Sequence, residues 1–476
     1  MSAPAEVRET HIGLVLLAGG RAYKAKKPVR TAFCDFSTVE LRRAAIAREL
    51  ELNSRLAPDV YLGTAELTGA GETEPVLVMR RMRESARLST LVRSGADVRT
   101  HLRRTARLLA AFHAGAARGP AIRAAGSAEA LWQRWLANVT EMEPYREAPL
   151  PGDVLDDVRR LAERFVAGRG PLLARRGERV VDGHGDLLAE DVFCLDDGPR
   201  VLDCLDFDDR LRFVDGLDDV AFLAMDLEHL GAPDAAEQLL DDYAEFSADP
   251  APMSLRHHYV AYRAGVRAKV ACLRHAQDGR RDTADEARAQ LRLAHDHLRR
   301  GEPRLALVGG LPGTGKSTLA GALADLTGAV LLSSDRLRKE QAGLAASVSA
   351  AAEFHEGLYD AAHTDRTYDE LVARAEALLH EGESVVLDAS WTDARHRGRA
   401  ADVAGRTESR LVQIECTAPP ALAAERIRTR RDTASDATPR IALALAEVAA
   451  PWPDAVPVAT TSPPEVCACL AHDLWR

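Results

Sequence analysis

The sequence predicts two domains of different class: an α+β region with a small sheet lobe and a large helical lobe, then an α/β domain on a parallel sheet. Three observations predict this. At 476 residues the chain is long for one hydrophobic core. Leu298-Arg299-Arg300-Gly301-Glu302-Pro303 ends a polar, Arg-rich helical stretch with Gly and then Pro, which stop a helix. The main boundary is placed there, giving domains 1–300 and 301–476. Beyond it, candidate strands at 304–309, 329–333, 384–388, 410–416 and 455–460 alternate with helical stretches. That alternation is the pattern of a parallel sheet covered on both faces.

Before the boundary, residues 11–30 suggest a hairpin: Leu14-Val15-Leu16-Leu17, a Gly19-Gly20 turn, then Ala22-Tyr23-Lys24-Ala25-Lys26. An Arg/Glu-rich helix follows over roughly 38–56, and Pro75-Val76-Leu77-Val78-Met79 reads as another strand. Most of 96–175 and 217–300 reads helical, so the small lobe is about 1–85 and the helical lobe about 86–300.

Hydrophobic content of 46 % and charged content of 28 % fit a soluble globular protein. A net charge of −10 argues against a dedicated nucleic-acid scaffold. The apolar run at 13–18 is too short to span a bilayer. The expected compartment is therefore the cytoplasm, with no membrane partner. The 7 cysteines include no C-x-x-C pair, which disfavours a zinc site.

Gly310-Leu311-Pro312-Gly313-Thr314-Gly315-Lys316-Ser317 satisfies G-x-x-x-x-G-K-[ST]. The apolar run Leu305-Ala306-Leu307-Val308 precedes it, and a helical stretch opens at Thr318. Strand, glycine loop and helix are the context of a phosphate-binding loop. The loop amides and helix N-terminus face the phosphates. Lys316 reaches the β/γ-phosphates of ATP, and Ser317 ligates Mg²⁺.

Two further strand ends supply chemistry. Ser333-Ser334-Asp335-Arg336-Leu337-Arg338 places D-x-x-R after the second strand of the later domain. Asp335 can take the proton of an acceptor hydroxyl, while Arg338 holds an anionic acceptor. Val385-Val386-Leu387-Asp388 ends the third strand, where a second carboxylate can organise Mg²⁺, and Ser390-Trp391 borders the acceptor. Arg426 and Arg430, spaced i, i+4 in an Arg-rich segment, would bring cations onto the transferring phosphoryl group as a lid. These features resemble the polynucleotide-kinase, zeta-toxin and gluconate-kinase-like branch of P-loop proteins.

Earlier in the chain, Val180-Val181-Asp182-Gly183-His184-Gly185-Asp186 ends an apolar strand in a His-Gly-Asp turn. A hairpin through Asp197-Gly198 leads to Asp203-Cys204-Leu205-Asp206-Phe207-Asp208. Kinase chemistry uses one Asp to orient the acceptor hydroxyl and another about twenty residues later to hold Mg²⁺. Asp186 fits the first role and Asp206 the second, with Asp203 as a rival. These residues, with Asp191 and Asp218-Asp219-Val220-Ala221, resemble the aminoglycoside-phosphotransferase-like, protein-kinase-like domains. Segments 22–29 and 35–38 resemble the small lobe of a bacterial branch in which that domain is fused to a P-loop kinase or ATPase domain. The resemblance implies a bilobal fold for 1–300. It implies Asp186 as catalytic base, Lys24 on the α/β-phosphates with Lys26 as alternative, and Glu49 as the lysine's partner. Asp191 stands where the family pattern has a metal-binding Asn.

The expectation is an ATP- and Mg²⁺-dependent phosphotransferase with two kinase-type domains, acting on a hydroxyl-bearing acceptor. Two other classes compete with it. One is a regulatory ATP-binding protein with a degenerate first domain, which Asp191 favours. The other is a nucleic-acid end kinase, which the acidic charge disfavours.

Overall fold

The computed structural model of the protein describes residues 6–9, 13–30, 34–69, 72–345, 361–429 and 438–476. The chain forms two compact units. One comprises 1–159, 173–251 and 256–297, and the other comprises 160–172, 252–255 and 298–476. Among the described residues no helix is long and apolar enough to cross a membrane.

In the first unit, strands β1 (Glu6–Glu9), β2 (Gly13–Ala18), β3 (Arg21–Lys26), β4 (Tyr61–Gly69) and β5 (Glu72–Arg80) form one antiparallel sheet. Their order is β1-β2-β3-β5-β4. The helix Val39–Asn53 is inserted between β3 and β4. Thr38 caps it, accepting from the Leu41 amide at 3.3 Å. Its Ile46 packs with Ala57, Val60 and Leu77, yet Glu49 is buried in the same helix. A buried carboxylate needs charged partners, and these define the first site below.

Strands β1 and β4 escape the sequence pattern for a physical reason. All four residues of β1 are exposed, and β4 turns Leu62 and Leu67 outward with a register shift at Tyr61/Gly63. Neither shows the apolar alternation that marks a half-buried strand. The helical lobe contains the helices Arg99–Gly115, Gly216–His229, Pro233–Ser247, Met253–Asp278 and Arg281–Arg300 among others. Two small antiparallel ladders are set into it. Strand β6 (Val180–Asp182) and strand β7 (Val192–Leu195) are followed by β8 (Gly198–Val201) and β9 (Phe213–Asp215); β6 pairs with β9, and β7 with β8.

The second unit is built on β10 (Arg304–Gly309), β11 (Val330–Ser333), β12 (Val385–Asp388), β13 (Arg410–Thr417) and β14 (Val456–Ala459). All their pairings are parallel, in the order β11-β12-β10-β13-β14. Period-two alternation explains the continuous apolar runs. Leu305 and Leu307 of β10 pack with Leu371, Leu379 and Val403, while Ala306 and Val308 pack with Leu319, Leu323 and Ala471. Each face of the strand has its own core, as a sheet covered on both sides requires. Arg169 also belongs to this unit: its buried guanidinium donates to the Thr407 carbonyl at 2.6 Å and to Ser409 Oγ at 3.1 Å. The central strand β10 has neighbours on both sides, so the sequence order reverses at its carboxyl end. Ligands of open α/β sheets bind at such a point.

Candidate functional site

The loop after β10 is built by backbone constraints. Gly310 and Gly313 have φ of +134° and +83°, outside the range most side chains accept. A Cβ on Gly310 would lie 2.5 Å from the Cys416 carbonyl oxygen, and one on Gly313 2.4 Å from that of Ala423. The turn closes on itself through Thr314, which donates from its amide at 3.2 Å and its hydroxyl at 2.8 Å to the Leu311 carbonyl. Gly315 then caps the helix Lys316–Thr327. The first amides of that helix have no intrahelical acceptor, which suits them to an anion.

A cavity of about 620 Å³ lies over this loop, lined by Lys316, Ser317, Thr318, Asp388 and Arg426 among others. A second cavity of about 460 Å³ is lined by Pro312, Arg338, Tyr368, Ser390 and His396 among others. Lys316 and Asp335 line both cavities. Asp335 stands in the first turn of the helix Ser334–Gln341, directly beyond β11. Arg338, one turn on, is buried and donates from Nη1 to Thr364 Oγ1 at 3.2 Å.

Asp388 is 5 % exposed at the end of β12. Burial pushes its carboxyl above the usual range, against the pull of Lys316 and of the Ser317 and Ser333 hydroxyls. Its Oδ1 has no hydrogen-bond partner among the described residues. A buried, unsatisfied carboxylate oxygen beside the loop serine suits a hard divalent cation. Arg426 donates from Nη2 to the Thr460 carbonyl at 2.7 Å and from Nη1 to Thr460 Oγ1 at 3.2 Å. Arg430 lies outside the described residues.

In the first unit, one carboxylate serves two lysines. Glu49 forms ion pairs with both, Oε1 lying 2.7 Å from Lys24 Nζ and Oε2 2.8 Å from Lys26 Nζ. Lys24 also reaches Asp203 Oδ1 and Lys26 reaches Asp206 Oδ2, each at 2.9 Å. Burial opposes ionisation of Glu49, but the two lysines outweigh it and hold the carboxyl below its ordinary value. Lys24 likewise holds the Asp203 carboxyl low. The Asp203 backbone has φ +60°, and its amide donates to Tyr61 Oη at 3.2 Å.

Asp186 and Asp191 belong to the same electrostatic cluster. Burial raises Asp191 well above the usual carboxylate range, helped by Asp203 and Asp186. Burial also raises Asp186, opposed first by Arg267. The turn that carries Asp186 is held from below by Asp219, which accepts the amides of His184 at 2.6 Å and Gly185 at 2.9 Å. His113 Nε2 lies 3.1 Å from the same carboxylate. Arg263 ties Asp218 to the turn, with 2.7 Å to Asp218 Oδ1 and 3.3 Å to the Gly185 carbonyl. No group of three or more His, Cys, Asp or Glu arranged to hold a metal is found among the described residues.

Several site residues were not visible in the sequence. Thr460 anchors the loop through Thr314, and it follows β14 directly, so a strand-end rule could have found it. Tyr368 and His396 come from the middle of one helix and the start of another. Their ring centroids are 4.0 Å apart and their planes stack within 5°. No local motif marks that pair.

A family model described as an AAA domain matches residues 305–450. Among solved structures, a choline/ethanolamine kinase family protein from Mesorhizobium loti is 16 % identical with a TM-score of 0.42, covering 62 % of this chain and 88 % of that one. A sugar kinase from Janibacter is 19 % identical with a TM-score of 0.28, covering 36 % of this chain and 94 % of that one. Uncharacterized protein Rv2004c of Mycobacterium tuberculosis is 44 % identical over 475 residues, covering 99 % of this chain and 95 % of that protein. With that identity across nearly the whole of both chains, this chain belongs to the same two-domain family as the mycobacterial protein.

Proposed function

We propose that the second unit is an ATP-dependent kinase that phosphorylates a hydroxyl group, and that the first unit carries a second kinase-type ATP site. One observation carries the reading: Lys316 and Asp335 line both the cavity over the glycine loop and the cavity beside Arg338 and Tyr368. Two adjoining cavities with a cation and a carboxylate at their junction suit a donor, an acceptor and a transfer point between them.

In this reading ATP occupies the larger cavity with its phosphates on the loop amides. The acceptor oxygen attacks the γ-phosphorus. The bond from that phosphorus to the β–γ bridging oxygen breaks, and ADP leaves. Asp335 accepts the hydroxyl proton as transfer proceeds. Lys316 offsets charge on the transferring group, and Arg426 adds to this from the rim of the same cavity. Ser317 and Asp388 would hold Mg²⁺, and the partnerless Asp388 Oδ1 fits that role. Held there, Mg²⁺ would supply positive charge that offsets the charge of the nucleotide phosphates.

For the first unit we assign Asp186 as base, Lys24 with Glu49 to the α/β-phosphates, and Asp191 with Asp203 to the metal. Each of Asp203 and Asp206 is engaged by a lysine at 2.9 Å; Asp203 is preferred because its charge also bears on Asp191 and Asp186. A regulatory role for this unit has one observation in its favour. Both lysines already have two carboxylate partners each, so nucleotide phosphates would compete with internal carboxylates for the ammonium groups.

A panel of hydroxyl compounds screened by ATP consumption, with mass spectrometry of the product, tests the proposal. The expected product is heavier by one phosphoryl group. ATP turnover that yields only inorganic phosphate across the panel would favour the regulatory class instead.

A further inference from the structure

The smaller cavity of the second unit has two unlike walls. The helix Pro439–Val448 contributes Ile441, Leu445 and Val448 to one wall. The spacing i, i+4, i+7 puts them in a single stripe along one helix face. Ile441 is buried, but Leu445 is only half-buried and Val448 is 61 % exposed, so apolar surface remains open to an occupant. Away from that helix the lining is largely polar and includes Asp335, Arg338 and His396. Two of these polar groups already have protein contacts. Arg338 Nη1 donates to Thr364 Oγ1 at 3.2 Å, and His396 Nε2 lies 3.4 Å from Asp365 Oδ1 with its ring stacked on Tyr368.

A fully hydroxylated acceptor seated here would surrender water from the hydroxyls that face the stripe and receive no hydrogen bond in return. An acceptor with an apolar face loses only unfavourable water contact on that side. It can still present one hydroxyl to Asp335 at the junction of the cavities. A volume of about 460 Å³ is that of a small-molecule site.

We infer that the acceptor of the second unit, on the kinase reading above, is a small hydroxyl compound with an apolar face beside its reacting hydroxyl, rather than a polyhydroxy acid. The apolar stripe selects that face, and the polar wall orients the hydroxyl.

The test measures binding without turnover, by calorimetry on the full chain saturated with a non-hydrolysable ATP analogue. Methyl, butyl and hexyl β-D-glucoside supply a graded apolar face on a constant set of hydroxyls, and D-gluconate supplies none. Affinity is expected to rise about two- to fourfold per added methylene, with gluconate weakest. Leu445→Gln and Val448→Gln are each expected to flatten that rise by at least half. Val448 already tolerates 61 % exposure, which keeps the test readable if Leu445→Gln fails to fold. Leu443→Gln, on the same helix and 68 % exposed, is expected to leave the series unchanged. The inference is overturned by no measurable binding of the longer glucosides, by no rise along the series, by gluconate binding tightest, or by a rise that survives both cavity variants. Binding is scored without chemistry, so such a failure stands apart from a failure of the kinase reading, which phosphoryl transfer by Lys316→Ala in an Asp186→Ala background decides.

Discussion

Thr460 Oγ1 donates to the backbone carbonyl of Thr314 at 2.5 Å, tying the segment after the last strand to the glycine loop. The same hydroxyl accepts Arg426 Nη1 at 3.2 Å. Thr460→Val keeps the shape and removes the hydroxyl, leaving the Thr314 carbonyl and Arg426 each one partner short. A buried hydrogen bond of this kind contributes about 1 kcal/mol. The KM for ATP is predicted to rise about fivefold, with a smaller change in kcat. Steady-state kinetics on the purified variant decide it, and an unchanged KM would mean the loop holds its shape without Thr460.

Gly313→Ala tests the loop's close approach to its neighbour. The added Cβ would meet the Ala423 carbonyl oxygen at 2.4 Å, at a φ of +83°. Strain and clash together are predicted to cost more than about 2 kcal/mol. ATP affinity should fall at least tenfold. Fluorescent-nucleotide titration checks this, and near-native affinity would contradict the packing of the helix Pro420–Thr429 against the loop.

Asp388 is predicted to trade stability for function. Its carboxyl is raised by burial, so the folded state holds the proton more tightly than the unfolded state does. Above the unfolded carboxyl value, ionisation then works against folding, and the penalty persists at neutral pH. Asp388→Asn removes it. Without nucleotide or metal, the variant should be more stable by about 1 kcal/mol, the scale of one buried polar group left without a partner. Its ATP turnover in the second unit should be lost. A denaturant melt in EDTA gives the first result and a turnover assay the second.

Glu49 in the first unit should behave oppositely. Its carboxyl is held below the usual value by Lys24 and Lys26 against the effect of burial. Its contribution is therefore present above the unfolded carboxyl value and lost as pH falls through the lower folded value. Lys24 is shifted up by Asp203 and Glu49 despite burial, so its share is lost only as pH rises past the ordinary lysine range. Glu49→Gln is predicted to destabilise by about 3 kcal/mol at neutral pH, because two ammonium groups lose a shared partner. The gap from wild type should close below about pH 4. Denaturant melts across pH test this; a gap that stays constant into acid would show that Glu49 acts by packing alone.

The parallel sheet was legible because its inner strands β10 and β12 are buried at every position and read as apolar runs, as in Leu305-Ala306-Leu307-Val308. Asp335 and Asp388 could be named because strand ends converge at one edge of such a sheet, and both reach the cavity with Lys316. Tyr368 and His396 could not, since only helix packing brings their rings together. The choice between Asp203 and Asp206 was also beyond sequence. The two are three residues apart on an irregular segment, and it is tertiary packing that sets Asp203 on Lys24 and Asp206 on Lys26. Strand β4 was hidden by its outward Leu62 and Leu67.

The most direct test of the central claim follows label from [γ-³²P]ATP into an acceptor identified by the hydroxyl panel. An Asp186→Ala background silences the first site, so that any transfer reports the second. Asp335→Asn is predicted to lower kcat by about 10²- to 10⁴-fold with the KM for ATP little changed, and Lys316→Ala to abolish labelled product. Labelled product formed at the parent rate by both variants would contradict transfer at the junction of the two cavities.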